Sequence, residues 1–251
     1  INIKSDYGEA HSTLGIVLLA KGDIDGSLES LQTANQLEPN LQENELILKI
    51  VNAKKKKKKQ KSKNNNIRHT KNVSLLTSEP IILNRAVEKG LIPALYDMNS
   101  KNLEDTKDAR YGNGRCHPDF TLFNHKQPVI QELACDLVSI MERYIQSDVY
   151  IFDSFYNIMR SGGGTTPHNH INGFDRSRHL RLENKKFSLV YYLSVGDQNC
   201  SEPGFLKLYE PDEQILPSDG MIIILPALRK HSAVYNGGKD RVMVGVNFYS
   251  I

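Results

Sequence analysis

The sequence changes period at Ser147, and that change constrains the fold more than any other feature of the chain. Before it, residues 128–146 place Val129, Ile130, Leu133, Leu137, Ile140, Met141 and Ile145 on one broad face at helical spacing. A shorter segment, 84–89, has the same spacing. After it come short runs of β-branched and aromatic residues at 149–158, 187–195, 204–209, 221–225, 232–235 and 242–249. Gly, Pro, Asn and Asp turns separate them. Helices followed by six strands that must each bury a face predict an α+β fold, a two-sheet β barrel or jelly roll flanked by helices.

The N-terminal part has a different pattern. Residues 8–40 read as a helical hairpin, with Leu14, Gly15 and Leu18 on the first helix, a break at Gly22-Asp23, Leu31 and Ala34 on the second, and Pro39 as the close. This is similar to a tetratricopeptide repeat, whose helices cross closely at small residues. One such repeat cannot bury both of its faces, so further repeats are expected before residue 1, and a protein or peptide partner is one use for them. Residues 41–53 predict a third amphipathic helix. The organisation expected is a helical segment 1–53, a Lys/Asn-rich linker 54–72 and a barrel domain 73–251, with helical support over 73–147 and the barrel over 148–251.

Lys54 to Lys59, Lys61 and Lys63 carry eight positive charges, and removing them takes the formal charge from +3 to −5. The rest of the chain is therefore mildly acidic, which argues against a general nucleic-acid field. The lysine run itself reads as a solvated helix end or flexible linker, or as a signal for nuclear import or an acidic partner. Three dispersed cysteines, Cys116, Cys135 and Cys200, form neither a zinc knuckle nor a disulfide framework and suit a reducing cytosol. No apolar run is long enough to cross a membrane, so no membrane role is expected.

Two histidine sites carry the candidate chemistry. His168 and His170 follow the glycine run 162–164, and two histidines at i and i+2 on a strand face one way, where both can approach one metal ion. His231 opens a later strand and Arg241 the last one. A buried arginine is costly unless it meets an anion, and its planar fork suits a carboxylate. The charged insert 171–186 reads as a substrate-facing lid or a solvated loop.

From residue 153 to the end the chain resembles the 2-oxoglutarate/Fe(II)-dependent oxygenases, particularly their prolyl-hydroxylase-like branch. The resemblance is carried by His168-x-His170, Ser188 to Leu193, Gly204 to Tyr209, Asp219-Gly220, His231, and Arg241 to Phe248, in order over about a hundred residues. It implies a double-stranded β-helix holding Fe(II), with His168 and His231 as metal ligands. It further implies that Arg241 and Tyr192 bind the distal carboxylate of 2-oxoglutarate, with Asn247 as a further pocket residue. Met243 departs from the pattern, standing where many members have a small residue. The expected activity is hydroxylation, with 2-oxoglutarate decarboxylated to succinate.

The main departure is His170, which stands where the family has a carboxylate ligand. His170 itself can complete a three-histidine set, Asp175 can supply the carboxylate, or the position can be vacant. The same histidines also resemble the two cupin motifs. A cupin-type metalloenzyme without 2-oxoglutarate and a non-catalytic binding module tethered to the repeat are therefore the alternatives.

Overall fold

The structure is a computed structural model that describes residues 7–39, 41–63, 79–105 and 110–251. It divides into two compact units: residues 1–75 with 172–182 and 251, and residues 76–171 with 183–250.

In the first unit, α1 (Gly8–Lys21) and α2 (Ile24–Leu37) form the expected hairpin. Gly22 takes a left-handed conformation with φ 83° and ends α1, and the Asp23 side chain then caps α2 by accepting from Gly26 N at 3.0 Å. The helices cross at Gly15, where an added Cβ would stand 2.6 Å from Leu31, and Ser27 donates to the Gly15 carbonyl at 2.8 Å. A third helix, α3 (Gln42–Lys63), runs past the expected end at Ala53 and through the lysine run. Lysine is a good helix former, and the first charges are spread over solvent, with Lys55 pairing to Asp25 at 2.6 Å. The lysines therefore belong to a helix rather than to a linker, and residues 64–72 of the expected linker lie outside the described residues.

The insert contributes two apolar side chains to the first unit. Its Phe174 and Leu180 pack against the core of the helical unit, which includes Leu19, Leu28, Leu31, Ile47 and Val51.

In the second unit, β1 (Ile81–Asn84), α4 (Leu91–Tyr96), β2 (Lys101–Asn102), β3 (Arg110–Tyr111) and β4 (Gly114–Cys116) precede α5 (Pro128–Ile145). The strands β5 (Val149–Met159), β6 (Gly163–His168), β7 (Lys186–Ser194), β8 (Leu206–Leu208), β9 (Glu213–Ile215), β10 (Met221–Pro226), β11 (His231–Tyr235) and β12 (Arg241–Ser250) follow. All six expected strands are present. The expected helix at 84–89 is not: β1 ends at Asn84 and α4 begins at Leu91, after Gly90 with φ 99°. Only two of these six residues, Ala86 and Val87, are apolar, too few to fix a period; Asn84 closes the strand paired with β10, and residues 85–88 take no regular structure.

The strands form two antiparallel sheets, ordered β1-β10-β7-β12-β5-β4-β2 and β3-β6-β11-β8-β9. The larger sheet buries both faces. Tyr156, Ile158, Leu189, Tyr191, Val244 and Val246 meet Ile130, Leu133, Leu137 and Met141 of α5 on one side. On the other side, cross-strand rows such as Tyr192–Met243–Asn157 and Val190–Gly245–Phe155 floor a pocket between the two sheets. A period of two thus sends one residue set to the core and the next to the pocket.

Candidate metal centre

The smaller sheet assembles three histidines. β6 ends at His168, which lies in register opposite His231 at the start of β11, with an irregularity between His231 and Ala233. His170 follows two residues later and is tied back by its N–H to the Ala227 carbonyl at 3.0 Å. The ligand atoms of His168, His170 and His231 all lie within 4.8 Å of one another.

The hydrogen bonds around the rings fix where the lone pairs point. His168 Nδ1 lies 2.7 Å from the Thr166 carbonyl and His231 Nδ1 lies 2.9 Å from the Arg229 carbonyl. A carbonyl can only accept, so each Nδ1 is the donor of that bond, and Nε2 is the nitrogen left for a metal ion. His170 Nε2 and His231 Nε2 are 3.2 Å apart. Two nitrogens each about 2.1 Å from one ion, and about 90–110° apart as seen from it, lie about 3.0–3.4 Å apart. The observed spacing therefore fits two ligands of a single ion.

Electrostatics agrees with geometry. Burial pushes His231 down to about 4, with the charge of His168 adding to it and the Arg229 carbonyl opposing. Burial, then the charges of His231 and His168, hold His170 well below the usual histidine range. Both rings are neutral at pH 7, so no proton has to leave before a cation can bind.

Arg241 lines the same pocket. Arg241 is 1% exposed, and its Nη1 donates to the Gly204 carbonyl at 2.6 Å. Among the described residues its Nε and Nη2 have no hydrogen bond of good geometry, and the Tyr192 hydroxyl is the polar group nearest to the fork. Leaving guanidinium donors buried and unmet costs several kcal/mol, roughly, unless an anion takes them up. The guanidinium lies 4.9 Å from the Tyr192 ring, and the fully buried Tyr192 phenol is raised by burial, an effect that Arg241 partly offsets. Gly204, with φ 85°, leaves the space that the guanidinium fills: an added Cβ would collide with Nη1 and stand 2.6 Å from Cζ.

Two sequence candidates do not join this pocket. Asp175 is outside the histidine cluster, and it forms a reciprocal pair with Asn172 instead: its Oδ2 accepts from Asn172 N at 2.9 Å while its own N–H donates to Asn172 Oδ1 at 3.0 Å. Asn247 donates to Asp153 at 2.7 Å and is not a lining residue. The pocket adds Arg110, Asn157 and Ser188, which sequence reasoning missed. An asparagine inside the apolar run 149–158 was the available signal for Asn157.

No protein-family model matches the sequence, and no curated protein matches it either. Solved structures do match in fold. HygX from Streptomyces hygroscopicus, with nickel, 2-oxoglutarate and hygromycin B bound, aligns with a TM-score of 0.53 at 12% identity over 69% of this chain and 84% of its own. A Trichoplax adhaerens prolyl hydroxylase in complex with a hypoxia inducible factor peptide aligns at 0.52 and 11% identity, over 69% of this chain and 84% of its own. The non-heme alpha-ketoglutarate-dependent carbocyclase SnoK from nogalamycin biosynthesis aligns at 0.52 and 12% identity, over 68% and 79%. At such identities the likeness is one of fold. The chain shares the fold of 2-oxoglutarate/Fe(II) oxygenases, and its histidine triad could hold a metal ion.

Proposed function

We propose that this protein is an Fe(II)- and 2-oxoglutarate-dependent oxygenase, a hydroxylase built on a double-stranded β-helix. One observation carries the reading: a buried arginine with two donors not taken up by the surrounding chain shares a pocket with three histidines whose ring nitrogens converge. A metal site alone explains the histidines but not the arginine.

In this reading His168, His170 and His231 hold the iron, and His170 takes the place of the usual carboxylate. Arg241 receives the distal carboxylate of 2-oxoglutarate through Nε and Nη2, with Tyr192 beside it. The Gly204 carbonyl fixes Nη1 and so the plane of the fork. The thioether of Met243 and the ring of Phe155 cover the sheet face between the polar groups and exclude water from it. When bound, iron and 2-oxoglutarate supply the activation of oxygen, with succinate and carbon dioxide released and the substrate hydroxylated. The protein supplies position and a dry wall. The helical unit offers a surface for a protein or peptide partner.

Anaerobic titration with Fe(II), with and without 2-oxoglutarate, tests the reading. A visible charge-transfer band that needs both components and is lost in Arg241→Gln is the expected result. Metal binding indifferent to 2-oxoglutarate would turn the reading toward a cupin-type metalloenzyme, and no metal binding toward a non-catalytic module.

A further inference from the structure

His231 is the buried member of the histidine triad, and its strand is held unevenly. Toward β6 the ladder shifts register directly after it, between His231 and Ala233. Toward β8 the pairing is regular, with Leu208 opposite His231 and Lys207 opposite Ser232. The chain leaving β8 then fastens both neighbours of this histidine. Tyr209 N donates to the Lys230 carbonyl at 3.0 Å, and the Tyr209 hydroxyl lies 2.8 Å from Ser232 Oγ.

Arg229 completes that hold from a buried position. Its Nη1 donates to the Glu210 carbonyl and its Nη2 to the Pro211 carbonyl, the latter at 2.5 Å. Its own N–H donates to the Pro226 carbonyl at 2.9 Å, and its own carbonyl accepts from His231 Nδ1 at 2.9 Å. One residue thus grips the turn 209–211 with its side chain and the metal-facing ring with its backbone. A guanidinium presents its donors in a rigid planar fork and bonds two successive carbonyls at once, whereas an ammonium rotates freely. Burying that charge is costly, a cost that a merely space-filling side chain would avoid.

We infer that Arg229 is a positioning residue for the metal ligand His231. Its strap to Glu210 and Pro211 fixes the peptide whose carbonyl orients the imidazole, so that Nε2 stays aimed at the ion. This rests on the oxygenase reading only in that the reading makes His231 a ligand. Arg229 acts through His231: without the strap the carbonyl and the ring share several orientations, of which one suits the ion.

The test uses the full chain loaded anaerobically with Co(II), whose visible bands report the arrangement of its ligands. Arg229→Gln should weaken Co(II) binding about ten- to a hundredfold and shift those bands, and Arg229→Lys should recover part of both. In the metal-free chain, NMR of the histidine ring nitrogens should show His231 protonated at Nδ1 in wild type and a mixture of the two ring forms in Arg229→Gln. Gly90→Ala, which strains the backbone at φ 99° before α4, should change none of these. If Arg229→Gln does not fold, Arg229→Lys decides by the same spectra. Binding within about twofold of wild type overturns the inference and leaves the oxygenase reading standing. Weaker binding with unchanged bands and ring form marks a structural role alone and overturns it too. A wild type that binds no Co(II), or binding that survives His231→Ala unchanged, refutes the ligand set of that reading and the inference with it.

Discussion

Gly204→Ala should disable the anion clamp without touching a single donor that faces the ligand. Two costs arise at once. The backbone at this position has φ 85°, and placing an L side chain there costs about 1–2 kcal/mol. The new methyl would also occupy the space of Arg241 Nη1, so the guanidinium must swing off the Gly204 carbonyl, to which it now donates at 2.6 Å. A hydrogen bond to a charged group contributes about 1.5–3 kcal/mol, so the total destabilisation should reach roughly 2.5–5 kcal/mol. Because the displaced fork no longer meets a carboxylate in two places, affinity for 2-oxoglutarate should fall about ten- to a hundredfold. Gly90→Ala separates the two costs: Gly90 has φ 99°, and an added Cβ there meets nothing within 4 Å. That variant should show only the conformational cost, about 1–2 kcal/mol, and bind 2-oxoglutarate normally. Urea unfolding gives the stabilities, and anaerobic calorimetry of the Ni(II) form gives the affinities. If Gly204→Ala binds 2-oxoglutarate within about twofold of wild type, Arg241 is not the clamp or is not held where the structure puts it.

Two further outcomes test other parts of the argument. His170→Ala should weaken Ni(II) binding by about a hundredfold or more, since even residues behind a metal ligand contribute ten- to a hundredfold. His170→Asp should retain the metal, since a carboxylate oxygen can replace the imidazole nitrogen as a ligand; Ni(II) binding unaffected by His170→Ala would remove this residue from the ligand set. Phe174→Ala should loosen the helical unit by roughly 2–3 kcal/mol, somewhat less than for a fully buried ring, because Phe174 is only partly buried against Leu19 and its neighbours. Faster amide exchange in α1 and α2 is the check, and unchanged exchange in both helices would show that the insert contributes nothing to that core.

The strands of the two sheets were legible because their residues obey a strict constraint. In β5, β7 and β12 both faces are buried, so apolar and aromatic residues dominate, and the turns between them carry glycine and proline. β6 escaped the same reading. It opens on Gly163 and Gly164, which have no side chain to advertise a strand, and it is defined by pairing with β11 and β3, both remote in sequence. The lysine run left two readings open, a solvated helix end or a linker, because a run of like charge suits both; each lysine accepts helical geometry readily once Leu46, Ile47, Ile50 and Val51 anchor the preceding turns.

The site divides along the same line. His168, His231 and Arg241 could be proposed from sequence because their spacing follows strand order, and strand order survives in the fold. The choice between His170 and Asp175 could not, because it depends on whether the chain after β6 stays with the sheet. Two contacts decide it. His170 is held to Ala227 by its backbone and so remains beside His231, whereas Asn172 and Asp175 satisfy each other in a turn of their own. The buried Asp175 carboxylate is turned to that N–H instead of to the histidine cluster. The proposed three-histidine ligand set thus rests on a local hydrogen-bond closure three residues long.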